Sequence, residues 1–174
     1  MSPTHRKPVN IIVACSENRV IGRNGRLPWR IKEDLNYLLE TIRGGVVIEG
    51  RRVYEELNKA FAGTHTIVLT SDPKREFPDA TRAGTWEEAL ELANRIEGYP
   101  IIWIGGGQAI YEQAMRFADQ LYLTLVHAEV EGDTFFPEWR ETFTEVVSER
   151  RSSNGKYDYT FYVLERPADS SAEA

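Results

Sequence analysis

Cysteine is nearly absent from this chain, which carries Cys15 alone among 174 residues. A single thiol excludes an internal disulfide framework, and its place in an apolar run is typical of an inert core cysteine. Histidine is scarce too, since His5, His65 and His127 are far apart and lack the spacing of metal ligands. The sequence therefore predicts neither a disulfide scaffold nor a metal site.

Long apolar runs and an excess of positive charge are also missing. No segment has the length and apolar character of a membrane span, and the N-terminal stretch MSPTHRKPVN lacks the apolar core of a secretory signal. We therefore expect a cytoplasmic protein with no membrane partner. The net charge of −6 and an isoelectric point near 5.2 argue against nucleic-acid binding, which needs a basic face.

What the chain does contain is enough apolar sequence for one compact domain. Hydrophobic residues make up 41% and aromatic residues 11% of the chain, which suits a full hydrophobic core. We expect a single domain over residues 1–166, followed by a disordered tail over residues 167–174 (PADSSAEA).

Short apolar runs alternate with helical patterns along the chain. Residues 17–30 are rich in Gly, Asn and Arg and are expected to form one long loop. Asn154-Gly155, between two strand-like segments, predicts a closing hairpin. The alternation indicates an α/β fold with a mostly parallel sheet, covered by helices and antiparallel at its C-terminal edge. Strands are expected at 9–16, 46–49, 66–70, 101–104 and 121–126, and helices at about 32–43, 51–58, 86–96 and 108–115.

One carboxylate stands out in the first predicted helix. Asp34 lies one turn after Leu27-Pro28-Trp29, on the edge of an apolar stripe. A carboxylate there is costly to bury without a hydrogen-bonding partner, and a cationic or amide-like ligand ring would be such a partner. The alternative is a solvated acid that the helix dipole favours in a first turn. The stripe consists of Ile31, Leu35, Leu38, Leu39 and Ile42.

Three strand-to-turn junctions carry groups that suit phosphate. Gly50-Arg51-Arg52 opens a helix, Thr70-Ser71 offers two hydroxyls, and Gly105-Gly106-Gly107 precedes another helix. Each junction alone is more often an ordinary tight turn, and neither the GxGxxG fingerprint nor a P-loop is present. Because all three fall at strand C-termini, where ligand sites collect, together they favour a nucleotide cofactor.

The stretches VIGRNGRLPW (20–29), VVIEGRRVYEEL (46–57) and IGGGQAIYEQA (104–114), with others in a fixed order, resemble the dihydrofolate reductase family over residues 9–166. The resemblance implies a mostly parallel eight-stranded sheet with an antiparallel last strand and four flanking helices. It implies NADPH-dependent reduction of 7,8-dihydrofolate to tetrahydrofolate, by hydride transfer to pterin C6. Size and family together lead us to expect a monomer. The other stretches are the helix with Asp34, IVLTS (67–71), LYLTLVHAEVEGDTFFP (121–137) and the closing hairpin.

The resemblance implies a role for each matching residue on the substrate side. Asp34 would bind the pterin 2-amino group and N3, with Thr124 supporting its carboxylate and Trp29 ordering a nearby water. Leu27 lies where a mobile loop closes over the reacting rings, and Tyr111 matches the aromatic residue at the nicotinamide edge. The walls around the pterin and benzoyl groups are implied at Ile12, Val13, Leu35, Leu38, Leu57 and Phe61.

The cofactor side follows in the same way. The matching residues would contact the amide, the adenosine phosphate groups and the pyrophosphate of NADPH. They are Ala14, Ile21, Gly22, Arg23, Asn24, Gly25, Arg26, Gly50, Arg51, Arg52, Val53, Leu69, Thr70, Ser71, Gly106, Gly107, Gln108, Ala109, Ile110 and Tyr111.

Three positions depart from the family pattern. Thr64 stands where an arginine normally grips the α-carboxylate of the folate glutamate, and neither His65 nor Lys59 has that fork geometry. Glu49 replaces an apolar residue, and we expect it either to pair with a nearby arginine or to face solvent. Val53 replaces a threonine. These changes bear on recognition of the glutamate tail rather than on the chemistry of the rings.

Two alternative functions are compatible with these departures. A related reductase acting on a tail-less dihydropterin or a pyrimidine is motivated by Thr64. The pyrimidine reductases of the flavin pathway share the fold but lack the helix aspartate after Leu-Pro-Trp, so Asp34 favours a pterin. A non-catalytic nucleotide- or ligand-binding module is the other alternative, and no feature of the sequence supports it.

Overall fold

The computed structural model describes residues 6–167, which contain four helices and ten strands. The helices are α1 (Lys32–Ile42), α2 (Arg51–Leu57), α3 (Trp86–Arg95) and α4 (Gln108–Ala114). The strands are β1 (Val9–Ser16), β2 (Val20–Gly22), β3 (Val46–Gly50), β4 (His65–Leu69), β5 (Thr81–Ala83), β6 (Ile102–Ile104), β7 (Gln120–Val126), β8 (Thr134–Phe135), β9 (Glu145–Ser153) and β10 (Asp158–Glu165).

Eight of these strands form one sheet in the order β5-β4-β3-β6-β1-β7-β10-β9. The pairs from β5 to β7 are parallel, whereas β10 runs antiparallel to both β7 and β9. The expected fold is therefore confirmed, including the antiparallel C-terminal edge. Because the connections leave β1 in both directions, ligand-binding groups are expected where β1, β3 and β6 end.

The prediction of an uninterrupted loop over residues 17–30 was wrong. Strand β2 lies inside it and pairs with β8 in a small second sheet, with Val20 opposite Phe135 and Gly22 opposite Thr134. This pairing is close, since a Cβ placed on Gly132 would lie 2.2 Å from Val20 Cγ1. Strands of two or three residues carry no readable period, and partners more than a hundred residues away decide whether they form.

Both faces of the main sheet are covered. On one face Ile11, Val13 and Cys15 of β1 pack with helices α3 and α4. Burial raises the pKa of the Cys15 thiol to about 12, which agrees with an inert core cysteine. On the other face Ile12 packs with Ile42 of α1. Helix α1 therefore lies on the face opposite α3 and α4.

Some expectations concern residues at the two ends of the chain. His5 and, apart from Pro167, the expected tail lie outside the described residues. Within residues 6–167, no helix has the length and apolar character needed to cross a bilayer. Over the same residues, no three His, Cys, Asp or Glu side chains are grouped to hold a metal ion.

Candidate active site

The first turn of α1 brings a carboxylate against the sheet. Thr124 Oγ1, from β7, donates a hydrogen bond of 2.6 Å to Asp34 Oδ1. Burial raises the pKa of Asp34, the bond from Thr124 opposes that rise, and the charge of Glu33 adds to it. The second oxygen, Oδ2, accepts no hydrogen bond from the described residues. Asp34 is thus a half-buried acid with one oxygen held and one oxygen available to a cationic or amide-like ring.

A buried indole lies near the start of the same helix. Trp29 is buried with Ile31 and Val126, and Ala14 packs against this group. Among residues 6–167, no acceptor lies within hydrogen-bonding distance of Trp29 Nε1. A buried N–H without a partner is normally satisfied by a water or a ligand, so this indole is suited to hold one.

The apolar stripe of α1 faces two directions. Ile31 and Ile42 are buried as predicted, but Leu35 is 50% exposed and does not belong to the core. Leu27 is also 50% exposed and Leu57 is 39% exposed. Single exposed leucines are common on folded domains, so their exposure leaves them available to a ligand but does not by itself mark a site. Leu35 therefore lies at the protein surface and not in the core beneath α1.

The remaining predicted wall residues are divided between the two sheet faces. Leu38 and Phe61 pack against Ile12 on the α1 face, so these three side chains lie together. Val13 follows Ile12 directly in β1 and points to the opposite face, where it packs in the main core. The side chain of Val13 therefore cannot line a cleft that Ile12 lines.

Helix α4 is tied to β1 through a tyrosine. Tyr111 is buried, and its hydroxyl donates to the carbonyl oxygen of Ile12 at 2.9 Å. Its ring stands against Gly106, where a Cβ would lie 3.1 Å from the ring and where φ is +103°. Only glycine suits this position, since a side chain would meet the ring and the left-handed φ would strain it. Gly107 is open by contrast, because a Cβ there would meet nothing within 4 Å.

The three predicted phosphate junctions come together at one edge of the sheet. The N–H of Gly50 donates to the carbonyl oxygen of Gly106 at 2.8 Å, which joins the first junction to the third. Gly50 also lies opposite Leu69 in the β3–β4 register, so Thr70 and Ser71 follow beside it. This grouping is what the sequence predicted from the positions of the strand ends.

The cations of the first junction differ in their surroundings. Arg51 Nη1 donates to both carboxyl oxygens of Glu55 at 2.9 Å, and this ion pair is exposed. Arg52 is also exposed. Exposed ion pairs contribute little to stability, so an anion can replace Glu55 as the partner of Arg51. Thr70 Oγ1 accepts from the N–H of Asp72 at 3.2 Å.

The loop before Leu27 turns sharply at residues 23–26. Arg23 and Arg26 exchange backbone hydrogen bonds of 2.8 and 3.1 Å across Asn24 and Gly25, which both have positive φ. The guanidinium of Arg23 lies 3.5 Å from the carboxylate of Glu131. Ile21 packs against the main core, and Gly22 stands against Thr134.

Glu49 is neither paired with an arginine nor solvated, so both sequence-based expectations were wrong. Its exposed fraction is 0%, and neither carboxyl oxygen has a hydrogen-bond partner in the part of the chain that the structure describes. Desolvation, with a smaller contribution from Asp79, raises its pKa to about 8. The cause is topological. Strand β3 lies between β4 and β6 in a sheet that is covered on both faces, so its side chains, including Glu49, are buried whichever face they point to.

The turn that lacks the family arginine is occupied differently from what we expected. Thr64 Oγ1 donates to the carbonyl oxygen of Phe61 at 2.8 Å, so it serves the turn itself. His65 Nε2 bonds Thr81 Oγ1 at 3.0 Å and is directed toward β5, which removes it as a tail contact.

Arg43, the residue that directly follows α1, lies against this turn. A Cβ placed on Gly63 would lie 3.1 Å from Arg43 Cγ and 3.4 Å from Arg43 Nη1. The N–H of Gly44 also donates to the carbonyl oxygen of Gly63 at 2.7 Å, which holds the end of α1 to the turn. Sequence reasoning missed Arg43, because no local pattern shows that these two turns meet.

Comparison with known proteins places this geometry in one family. The family profile described as dihydrofolate reductase matches residues 8–166. A dihydrofolate reductase of Staphylococcus haemolyticus is 34% identical over 163 residues, which are 91% of this chain and 95% of that protein. One of Neisseria gonorrhoeae is 38% identical over 159 residues, covering 88% and 94%. A solved structure of dihydrofolate reductase from Enterococcus faecalis, complexed with NADP(H) and RAB-propyl, superposes with a TM-score of 0.84 at 30% identity, covering 94% of this chain and 98% of that one.

Proposed function

The chain belongs to the dihydrofolate reductase family, and we propose that it reduces 7,8-dihydrofolate to 5,6,7,8-tetrahydrofolate with NADPH. One observation carries the proposal: Thr124 holds one carboxyl oxygen of Asp34 against the sheet, and Leu35, the next residue of α1, is exposed and available to cover a flat ring system. An acid with a raised pKa beside such a surface is suited to a ring that is protonated during the reaction.

On the substrate side, Asp34 binds the pterin 2-amino group and N3 and favours the form of the ring that carries an additional proton at N5. Thr124 fixes Oδ1 and leaves Oδ2 to the ring. The Trp29 N–H holds a water near the pterin, and Leu35 and Leu57 exclude other water by covering the rings. The aromatic and aliphatic walls are completed by Ile12, Leu38, Phe61 and the loop residue Leu27.

On the cofactor side, the described residues fit a dinucleotide. The cradle at Gly106 and Gly107 lets a pyrophosphate approach the backbone, since Gly107 faces open space. Arg51, Arg52, Thr70 and Ser71 provide two guanidiniums and two hydroxyls for adenosine phosphate groups. When bound, NADPH supplies the hydride that reaches pterin C6. Tyr111 fixes the wall behind the cradle through its bond to β1. Gly22 to Arg26 and Gln108 to Ile110 complete the proposed contacts, with Val53 in the first turn of α2 and Leu69 at the end of β4.

The test is an assay of NADPH oxidation with two substrates, dihydrofolate and the tail-less dihydrobiopterin. We expect turnover with dihydrofolate in the purified protein, and none in Asp34→Ala at neutral pH. Turnover with dihydrobiopterin alone would instead support the second candidate, a reductase of tail-less pterins, which the engagement of Thr64 in its own turn favours. No oxidation with either substrate would reject both candidates.

We further infer that the enzyme acts as a monomer in the cytoplasm, a compartment with which a lone buried thiol agrees. Size-exclusion chromatography with light scattering tests the first part, and a mass near 20 kDa, in line with the 19.9 kDa chain, is expected. Cell fractionation tests the second part.

A further inference from the structure

We propose that Glu33 is a positioning residue, which anchors the first turn of α1 to the C-terminal hairpin and thereby aims the carboxylate of Asp34. The inference deepens the proposed function and rests on it, because Asp34 is the pterin-binding acid of that function. No sequence pattern marks Glu33 beyond its place in the first turn of α1.

The contacts of Glu33 are unusually complete for a carboxylate at the surface. Ser152 Oγ donates to Oε1 at 2.6 Å and the Tyr159 hydroxyl donates to the same oxygen at 2.7 Å. Arg150 Nη1 donates to Oε2 at 3.0 Å. These three donors lower the pKa of Glu33 to about 2, so it is ionised throughout the physiological range. An exposed acid is ordinarily mobile, whereas three donors from two strands fix both of its oxygens.

Besides Glu33, the start of α1 is held by the bond from Thr124 to Asp34 and by a 3.4 Å bond from Asn154 Nδ2 to the carbonyl oxygen of Arg30. Ile31 occupies the N-cap position, and no side chain caps the helix there. The free N–H groups of a first turn usually receive such a cap, and a helix without one frays at that end. Glu33 supplies an attachment from inside the first turn, through its bonds to β9 and β10.

The two successive acids of α1 together reach three neighbouring strands. Asp34 is bound by Thr124 of β7, and Glu33 is bound by Tyr159 of β10 and by Ser152 of β9. These strands are adjacent in the order β7-β10-β9. One bond alone would let the first turn rotate about the Thr124 contact, whereas attachment at two points fixes the direction of Oδ2 of Asp34. A displacement of about 1 Å of a group at a reacting centre lowers the reaction rate strongly.

Glu33 also acts on Asp34 through its charge. The anion raises the pKa of Asp34, so neutralising it will lower that pKa. The other titratable groups that face the two acids are Tyr37 of α1, Arg150 of β9, Tyr159 of β10 and Tyr111 of α4. Burial raises the pKa of each of these tyrosines, so a shift of the titration between pH 4 and about 8 does not come from them.

The experiment compares Glu33→Gln, which removes the charge and keeps the shape, with Glu33→Ala, which removes the contacts. Glu165→Gln is the matched control, because Glu165 lies at the far end of β10 and bonds only Gln120 among the described residues. Three quantities are measured: kcat and KM separately, the pH dependence of kcat/KM, and the Asp34 carboxyl titration by NMR with 13C-labelled aspartate. Thermal unfolding is followed for every variant.

We expect Glu33→Ala to lose about tenfold in kcat/KM, and Glu33→Gln to lose less and to lower the titration midpoint of Asp34. The control should match the wild type in all three quantities. A lower unfolding temperature with unchanged kcat/KM and an unchanged Asp34 midpoint would show a purely structural anchor and overturn the proposal. If Glu33→Ala does not fold, Glu33→Gln and Ser152→Ala decide by the same criteria. If the wild type fails to reduce dihydrofolate, the proposed function falls, while the NMR titration still tests the coupling of the two acids.

Discussion

The start of α1 and the end of β3 both place an acid inside the protein, but they treat it in opposite ways. At the start of α1, Asp34 and Glu33 together accept four hydrogen bonds, all donated by side chains of the sheet. At the end of β3, Glu49 is fully buried and accepts none from the described residues. Burial raises the pKa in both regions, so the pKa direction does not distinguish a working acid from an isolated one.

What distinguishes the two acids is the presence of an open side. Asp34 is followed in α1 by the exposed Leu35 and has one carboxyl oxygen without a donor among the described residues, whereas Glu49 is fully buried on a strand between β4 and β6. A perturbed acid is therefore evidence of a ligand site when it faces a cleft, and of a cost to stability when it does not.

The largest expected effect comes from Asp34→Asn. The amide keeps the shape but cannot stabilise the protonated pterin, so turnover at neutral pH should fall about 100-fold or more, while NADPH binding stays unchanged. Steady-state kinetics and NADPH fluorescence titration measure the two quantities. Glu49→Gln is the matched control and should retain turnover within a fewfold. Equal losses in both variants would mean that the two regions do not differ in function.

The next effect is on stability, in Glu49→Met. A buried polar group without a partner costs about 1–3 kcal/mol, so the free energy of unfolding should rise by roughly 2 kcal/mol below pH 4.5, where the carboxyl is neutral, and by more at pH 8. The folded-state pKa of about 8 lies above the unfolded value of 4.5, so the neutral carboxyl favours the folded state most below pH 4.5. That contribution is lost as the pH rises toward 8, and the advantage of Glu49→Met should grow over the same range.

Urea unfolding at pH 5 and pH 8 provides the measurement. A difference between variant and wild type that is the same at both pH values would show that Glu49 has an ordinary pKa. The variant Glu165→Met, at an exposed site, controls for the added apolar side chain.

The cofactor end of the β3 region should show a smaller effect. The 2′-phosphate that NADPH carries and NADH lacks would accept charge-assisted hydrogen bonds from Arg51 and Arg52. Such bonds contribute roughly 1.5–3 kcal/mol each, and less when exposed, so the enzyme should prefer NADPH to NADH. Arg51→Gln with Arg52→Gln should raise KM for NADPH about tenfold and leave KM for NADH nearly unchanged. Lys74→Gln, another exposed cation, serves as the control. Equal efficiency of the wild type with both cofactors would show that these arginines are not the phosphate site.

The smallest effect is expected at the turn of residues 61–64, between α2 and β4. Thr64→Arg should lower KM for dihydrofolate about threefold and leave kcat nearly unchanged, because an exposed ion pair contributes about 1 kcal/mol or less. Arg43→Ala should raise the same KM by a similar factor, whereas Lys59→Ala should not. An unchanged KM in both Thr64→Arg and Arg43→Ala would mean that the glutamate tail is held elsewhere or not at all.

The sequence predicted the parts of this molecule that depend on near neighbours. Strand β1 was predicted at its observed bounds, because eight consecutive residues are of a buried-strand type. Asp34 was identified from its place on a helix, and the resemblance to the family supplied its role and that of Thr124. The grouping of Gly50, Thr70 and Gly106 followed from the rule that parallel strands end at one edge.

The features that the sequence missed depend on residues far apart in the chain. The burial of Glu49 depends on which strands flank β3, and the position of Arg43 depends on a contact between two turns. The exposure of Leu35 and the inward direction of Val13 depend on where the cleft opens. In each case the local pattern allows two environments, and the tertiary arrangement selects one of them.

The attachment of α1 to the hairpin also sets an order of events during synthesis. The donors to Glu33 lie 117 to 126 residues further along the chain than the acid itself. At a translation rate of about 5–20 residues per second, the helix waits roughly 6–25 seconds before its anchor has been made. A ribosome-bound chain without β9 and β10 already contains Asp34 but lacks the contacts of Glu33. The start of α1 is therefore fixed to the sheet only after β9 and β10 have been made.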